Sequence, residues 1–128
     1  MSAPQNRPLS PHLQVYKPQI TSVMSILHRM SGVVLSIGAL FMVAWLWAAA
    51  YDSSYFVMWR GFFSSILGQI MLVGWSAAFY YHLMNGLRHL WWDTGRGFAL
   101  KDVDRSGLIG LGLTVAATIL TWIIIWST

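Results

Sequence analysis

Cysteine is missing from this chain of 128 residues, and charged side chains are scarce, at 9% of the total. Without cysteine the chain forms no disulfide and supplies no thiolate ligand to zinc or to an iron–sulfur cluster. A water-soluble domain has roughly a quarter of its residues charged, whereas here 56% of the residues are hydrophobic. The scarcity of charge therefore indicates an integral membrane protein.

Lysine, arginine, aspartate and glutamate are absent from three long stretches, 30–51, 61–87 and 106–128. Each stretch exceeds the ~20 residues that cross a hydrocarbon core of about 30 Å. The sequence therefore predicts an all-α membrane protein with three transmembrane helices. The predicted segments are an extended cytoplasmic arm at 1–21, transmembrane helix 1 at 22–50, a periplasmic connection at 51–60, transmembrane helix 2 at 61–91, a cytoplasmic loop at 92–105 and transmembrane helix 3 at 106–126.

The N-terminal arm contains all four prolines of the chain, namely Pro4, Pro8, Pro11 and Pro18. Proline lacks a backbone N–H and interrupts helices, so a continuous helix is not expected in this arm. The first 29 residues also contain no apolar segment of the kind found in secretory signals. We therefore expect an extended arm and no cleavable signal.

The basic residues predict how the chain is oriented. Three of the eight lysine and arginine residues precede the first uncharged stretch and four lie between the second and the third, whereas Arg60 alone lies between the first and the second. The positive-inside rule then places the N-terminus in the cytoplasm and the C-terminus in the periplasm. This topology and contact with lipid headgroups explain the net charge of +4, so nucleic-acid binding is not expected.

An ionisable side chain lies inside the second predicted span. His82 precedes Arg88 by six residues, which places it about 9 Å deeper along the helix. Such a residue is costly in a membrane and indicates a function, although a neutral imidazole bonded to a carbonyl or hydroxyl group of a neighbouring helix is the structural alternative. Ala78 and Gly86 leave the backbone bare on the same face, as a flat macrocycle requires. Imidazole is a common ligand of haem iron, so haem is the first candidate cofactor.

The other histidines limit how such a haem is held. His89 lies on the same helix face as His82 and about 10.5 Å along the axis, so the two do not ligate opposite sides of one iron. His28 and His12 belong to the cytoplasmic edge and to the arm. If the iron has two histidine ligands, the second comes from another polypeptide. This reasoning predicts a partner in a heteromeric helix bundle.

The segment SILHRMSG, residues 25–32, places polar groups at the start of helix 1. A stripe of small and polar residues runs along this helix, with His28 beside it: Ser22, Ser25, Arg29, Gly32 and Ser36. A packing seam with an arginine that reaches the headgroups is the structural alternative. On the same membrane side lie Arg88, His89 and Asp93. Six polar groups thus converge at one cytoplasmic boundary and are suited to bind haem propionates or an apolar ligand with polar ends: Ser25, His28, Arg29, Arg88, His89 and Asp93. An Arg29–Asp93 ion pair would offset the cost of both charges.

The third span and the loop before it carry weaker signals. Gly95 and Gly97 are expected to end helix 2. Within the third span, a stripe of small residues is suited to close helix packing: Gly110, Thr114, Thr118 and Thr121. We therefore expect helix 3 to be structural.

Three segments that follow one another along the chain carry a family resemblance: RPLSPHLQVYKP (7–18), SILHRMSG (25–32) and HLMNGLRHLWWDTG (82–95). With the three spans, they closely resemble the large cytochrome b membrane-anchor subunit of succinate dehydrogenase, respiratory complex II. The arm is most similar to the alpha-proteobacterial and mitochondrial branch. The resemblance implies a multi-pass protein of the bacterial inner membrane, or of the mitochondrial inner membrane in a eukaryote.

The resemblance also implies a four-subunit complex that links the tricarboxylic acid cycle to electron transport. In that family a flavoprotein subunit with FAD oxidises succinate, an iron–sulfur subunit carries the electrons, and two small anchors hold haem b and reduce ubiquinone. This chain is then a subunit of an enzyme, succinate dehydrogenase (quinone). It has no catalytic residue of its own and forms part of the quinone site.

Individual residues match the family pattern. By resemblance, His82 matches the axial ligand of the haem iron, with the other axial histidine on the second anchor. Ser25 and Arg29 match ubiquinone-binding residues, and Asp93 matches an acidic residue near the quinone pocket. Residues matched to the surroundings of the haem are His28, near the propionates, Arg29 in the same region and His89 as a propionate or proton-network contact.

Other functions fit the same residues. The anchor of a quinol:fumarate reductase has a similar pattern and differs in quinone type and in the direction of catalysis. A haem-free structural anchor would use His82 for packing alone. A small transporter is disfavoured because the sequence contains no internal repeat and no interrupted mid-membrane helix.

Overall fold

The computed structural model describes residues 17–128, and this part of the chain folds into four α-helices. They are α1 (Ile20–Tyr51), α2 (Ser53–Ser64), α3 (Ile66–Asp93) and α4 (Leu100–Ser127). The prediction of an all-helical protein is thus confirmed for the described residues. Most of the predicted arm at 1–21, including His12, lies outside them.

Helix α3 is the centre of the bundle, because it packs against the other three helices more extensively than any of them does. Its contact with α4 is polar as well as apolar. The Tyr80 hydroxyl lies 2.7 Å from Thr121 Oγ1, and the Trp122 indole N–H donates to Ser76 Oγ over 2.9 Å. Thr114 is buried. The small-residue stripe predicted in the last span therefore does pack in the structure.

Helix α1 approaches α3 closely at two levels. Near its start, the Tyr81 hydroxyl donates a hydrogen bond of 2.9 Å to the Met24 carbonyl oxygen. About four turns later along α1, the indole ring of Trp75 lies so near Gly38 that a Cβ atom there would overlap it. Small residues at such crossings let two backbones come together in a membrane, where no hydrophobic effect drives helices into contact.

Two helices, α1 and α4, are each long and apolar enough to cross a membrane. Helices α2 and α3 meet the same criteria together, but they are bent by 81° at the break between them. The described residues therefore provide two candidate spans, or three if the bent pair counts as one span. Many large apolar side chains on all of these helices are exposed, which suits contact with lipid or with other subunits.

The structure differs from the sequence prediction around the start of the second span. Most of the connection predicted at 51–60 is helical and belongs to α2, and the helix predicted from residue 61 begins at Ile66. Ser65 makes the break, since its backbone is extended and its hydroxyl oxygen accepts the Gly68 amide N–H over 3.2 Å. A Cβ atom at Gly68 would overlap the Phe62 carbonyl oxygen, so glycine permits the sharp bend.

The loop before α4 is also shorter than predicted. The sequence placed it at 92–105, whereas the structure ends α3 at Asp93 and begins α4 at Leu100. The charged segment counted as loop is instead the first turns of α4, where Asp102 lies next to the positive end of the helix dipole. Gly95 and Gly97 have φ of 79° and 78°, so the two glycines expected to end the helix do lie in the left-handed region.

Asp52 joins α1 to α2 and caps α2. Its carboxylate accepts hydrogen bonds from the Ser54 hydroxyl (2.7 Å), the Ser54 amide (3.0 Å) and the Tyr55 amide (3.2 Å). These bonds, that of the Ser54 hydroxyl above all, lower the pKa of Asp52 below the ordinary value of about 4. Because they favour the carboxylate, the cap is complete above that ordinary value and is lost as the pH falls through the lowered pKa.

We predict that Asp52→Ala speeds amide hydrogen exchange in the first turn of α2 at neutral pH, because two backbone N–H groups lose their acceptor. In the unaltered protein the same loss of protection should develop only as the pH falls below about 4, where Asp52 becomes protonated. The measured rates are corrected for the intrinsic dependence of exchange on pH. Asp52→Asn is the control, since it keeps an acceptor that does not titrate. Equal protection of α2 in Asp52→Ala and the unaltered protein at neutral pH would contradict the capping role.

Candidate functional site

Three histidines meet where α1 packs against α3, and we call them the histidine cluster: His28, His82 and His89. The rings of His28 and His82 are stacked, with centroids 4.0 Å apart and planes 12° apart. The His89 ring lies 5.3 Å from the His28 ring. Because residues seven apart share one face of a helix, α3 presents two of these rings toward α1, and the ring from α1 contacts both.

The hydrogen bonds of His82 define which of its nitrogens carries the proton. Its Nδ1 atom lies 3.1 Å from the His28 carbonyl oxygen and 3.1 Å from Ser31 Oγ. The Ser31 hydroxyl donates its one proton to the same carbonyl oxygen over 2.7 Å. Both neighbours of Nδ1 are therefore acceptors, so Nδ1 bears the proton and the lone pair of the neutral ring is on Nε2.

The structural alternative for His82 predicted a hydrogen bond to a carbonyl or hydroxyl group of a neighbouring helix, and both bonds are present. They occupy one ring nitrogen and leave the other available. Metal-ligating histidines almost always donate their second N–H to such an acceptor, which fixes the ring and raises its basicity. The bonds are thus common to both interpretations, and the surroundings of the cluster distinguish them.

The surroundings of the cluster suit a bound group. His28 Nδ1 is buried and has no hydrogen-bond partner within residues 17–128, although buried polar atoms are nearly always paired. Gly86 lies one turn from His82, and a Cβ atom there would meet nothing within 4 Å. The unpaired nitrogen in the cluster and the open space one turn along α3 are compatible with a bound haem.

The described residues do not complete an iron site by themselves. No group of three or more histidine, aspartate or glutamate side chains among them is arranged to hold a metal ion. The stacked rings of His28 and His82 also lie side by side, so they do not approach one iron from opposite faces. The described residues alone would therefore not supply two histidine ligands to one iron.

The side chains expected to bind a quinone are half-buried or exposed. Ser25 is half-buried on α1, one turn before Arg29, which is exposed. Asp93 is exposed as the last residue of α3. Within residues 17–128 the side chains of Arg29 and Asp93 form no ion pair, so the pairing suggested by the sequence is not formed there. The polar groups at this end of the bundle remain available to other molecules.

Two buried residues of α3 near His82, Tyr81 and Asn85, were not singled out from the sequence. Asn85 is 3% exposed, and its side-chain N–H donates to the Tyr81 carbonyl oxygen over 3.1 Å. The Tyr81 hydroxyl in turn bonds to α1. Tyr81, Asn85 and Arg88 follow one another at spacings of about one helical turn, on a stripe beside His82, and this spacing was a usable signal.

Arg88 links α3 to the start of α4 by hydrogen bonds. Its Nε donates to Ser106 Oγ over 2.9 Å, and its NH2 group donates to the Val103 carbonyl oxygen over 2.6 Å. The guanidinium group also lies 4.2 Å from the centre of the Trp92 ring. In the sequence analysis this residue only marked the membrane boundary, whereas in the structure it fixes two helices together beside the cluster.

Comparison with known families shows to which family this chain belongs. The model of the succinate dehydrogenase/fumarate reductase transmembrane subunit family matches residues 3–121. The chain belongs to this family. The match covers most of the sequence, including all three segments on which the resemblance was first recognised.

Curated relatives in this family are similar over nearly their whole length. The succinate dehydrogenase cytochrome b556 subunit of Rickettsia typhi is 44% identical over 91% of both chains. The cytochrome b556 subunit of Paracoccus denitrificans is 38% identical over 93% of this chain and 92% of its own. The cytochrome b560 subunit of Reclinomonas americana is 38% identical over 93% of this chain and 86% of its own. The resemblance predicted from the sequence is confirmed.

We predict that Arg88→Lys lowers the stability of the assembled protein by about 1–2 kcal/mol. An ammonium group does not bond the Ser106 hydroxyl and the Val103 carbonyl in two directions while it also stacks on an indole ring. Thermal unfolding of the purified membrane complex measures the effect. Arg96→Lys is the matched control, because Arg96 is exposed and lies 5.8 Å from the Trp91 ring. An equal effect of the two substitutions would contradict the role of Arg88.

Proposed function

We propose that this chain is a membrane-anchor subunit of succinate:ubiquinone oxidoreductase that binds haem b with a second anchor and helps to form the ubiquinone-reduction site. Its family and the names of its relatives support this proposal. The observation that carries it is the state of His82, whose Nδ1–H is bonded to α1, which leaves Nε2 free of hydrogen bonds within residues 17–128.

The proposed topology has three spans, formed by α1, α3 and α4. The N-terminus is cytoplasmic and the C-terminus lies on the opposite side, because nearly all basic residues cluster at one end of the chain's helices. Helix α2 carries Tyr55, Trp59 and Arg60, and its axis is bent by 81° from α3. An aromatic helix in this orientation is suited to lie along the periplasmic surface of the inner membrane.

In this proposal His82 ligates the haem iron through Nε2. The bound haem supplies a one-electron redox centre within the membrane. The exposed Arg29 would pair with a haem propionate, as arginine does with carboxylates, and His28 would lie near the propionates. His89, which contacts the His28 ring, extends the same polar surface toward the end of α3.

If the haem iron has two histidine ligands, a partner anchor would supply the second, because the stacked rings of His28 and His82 would not both reach one iron from opposite sides. The exposed apolar faces of the helices contact that partner and membrane lipid. An iron–sulfur subunit and a flavoprotein subunit with FAD complete the proposed complex. This chain has no catalytic residue of its own in that arrangement.

Quinone binding is assigned to Ser25, Arg29 and Asp93. The Ser25 hydroxyl and an Arg29 N–H are hydrogen-bond donors for the carbonyl oxygens of ubiquinone. Asp93 lies at the cytoplasmic end of α3 and passes protons toward the site. Two electrons from an iron–sulfur cluster of the partner subunit and two protons from the cytoplasm convert ubiquinone to ubiquinol. The family description also includes fumarate reductases, but the relatives compared above are named succinate dehydrogenase subunits, which favours succinate oxidation.

We predict that His82→Leu, in the otherwise intact complex, abolishes the low-spin haem signal or converts it to high spin, because the iron loses an axial ligand. The measurement is the dithionite-reduced optical spectrum together with electron paramagnetic resonance of the oxidised haem.

Tyr80→Phe is the matched control for that experiment, since Tyr80 is on the same helix and contacts α4 instead of the histidine cluster. An unchanged low-spin spectrum in His82→Leu would contradict the ligand assignment. Absence of b-type bands from the unaltered complex at full subunit occupancy would favour the haem-free structural anchor.

We predict that Ser25→Ala and Arg29→Leu each slow quinone reduction by about tenfold or more, as expected for loss of a hydrogen bond worth ~1.5 kcal/mol or more. Succinate oxidation with an artificial soluble acceptor should persist, because that reaction does not use the membrane site. Both activities are measured on the same purified complex. Equal loss of both would assign these residues to assembly and not to the quinone site.

A further inference from the structure

We propose that Ser31 is a positioning residue for His82. Together with the backbone carbonyl of His28, it holds the Nδ1–H group of His82, so that Nε2 is presented to the haem iron and the imidazole becomes a stronger electron donor. This inference rests on the proposed function, since it assumes that His82 is a haem ligand. It adds a residue of α1 to the control of that ligand.

The hydrogen bonds around Ser31 have a defined direction. Ser31 has one hydroxyl proton, and that proton is donated to the His28 carbonyl oxygen over 2.7 Å. Ser31 Oγ is therefore an acceptor toward His82 Nδ1, 3.1 Å away. Ser31 is 7% exposed, so water does not compete for this contact. The serine and the carbonyl oxygen form a fixed pair of acceptors for one N–H group.

The backbone of α1 and the ring of His28 enclose the His82 ring. A Cβ atom at Gly32 would lie 3.1 Å from His82 Cε1, so the edge of the ring rests against bare backbone. The face of the ring is covered by His28 at 4.0 Å. Turning the ring by half a revolution about Cβ–Cγ would replace Nδ1 by a carbon atom and break both hydrogen bonds. The two acceptors therefore select one ring orientation.

The hydrogen bonds at Nδ1 also change how His82 acts as an iron ligand. An imidazole that donates its second N–H to an acceptor is more basic toward a metal and is held in one tautomer and orientation. Greater electron donation stabilises the oxidised iron relative to the reduced iron and lowers the reduction potential. Loss of the Ser31 acceptor should therefore raise the potential of the haem and relax the orientation of the ligand ring.

The same helix offers a serine that separates this role from ordinary helix chemistry. Serine hydroxyls in membrane helices commonly bond to a carbonyl three or four residues earlier. Ser36 does so with the Gly32 carbonyl over 2.9 Å, but it is exposed and makes no hydrogen bond to His82. Replacement of Ser36 thus removes a backbone contact of the same kind and leaves the histidine untouched.

The test compares Ser31→Ala, Ser31→Cys and Ser36→Ala in the intact purified complex. Ser31→Cys keeps most of the side-chain volume but replaces the hydroxyl oxygen with sulfur, a weak acceptor. The measurements are the midpoint potential of the haem by redox titration, its low-spin electron paramagnetic resonance signal, and the ratio of haem to FAD.

We expect both Ser31 variants to retain haem, to raise its midpoint potential and to shift or broaden the low-spin signal, whereas Ser36→Ala matches the unaltered complex. If Ser31→Ala does not assemble, Ser31→Cys carries the test. An unchanged potential and signal in an assembled Ser31 variant would overturn the inference, and so would an equal shift in Ser36→Ala.

The outcomes separate this inference from the proposed function. If His82→Leu loses the low-spin signal but the Ser31 variants are unchanged, the assignment of His82 as the ligand stands. The positioning role of Ser31 is then refuted. A low-spin signal that survives His82→Leu overturns the ligand assignment and this inference with it.

Discussion

The contact between His82 and α1 is the interaction on which the rest of the arrangement depends. The imidazole of one helix donates to a backbone carbonyl and a serine oxygen of another, at 3.1 Å in both cases. In a membrane such a group has no water to bond with, so a polar side chain must find its partners within protein. This contact fixes the position of α3 relative to α1 and, at the same time, the orientation of the ring.

The same constraint explains which polar groups are structural and which await a partner. The Tyr81 hydroxyl and the Arg88 guanidinium have their acceptors on neighbouring helices, so they hold the bundle together around the histidines. His28 Nδ1 is buried without a partner among the described residues, and Arg29 and Asp93 are exposed at the end of the helices where polar groups converge. Groups of the second kind are those that the proposed function assigns to haem and quinone.

Much of this could be predicted from the sequence, because charge is nearly absent from the apolar stretches. A lone histidine in a predicted span identified His82, and the family resemblance followed from local segments. The bend at Ser65 was missed because uncharged residues continue on both sides of it, and the start of α4 was missed because charged residues do not prevent a helix. Ser31 was missed because it lies outside the polar stripe of α1. Only the packing of the two helices decides which serine of α1 reaches the imidazole.

The most direct measurement is the structure of the assembled complex, at a resolution that shows the axial ligands of the haem. Our account predicts that His82 Nε2 is bonded to the iron, that Nδ1 keeps its contacts with the His28 carbonyl and Ser31, and that a histidine of a partner subunit occupies the opposite axial position. A map in which Nε2 contacts only protein or lipid atoms would contradict it.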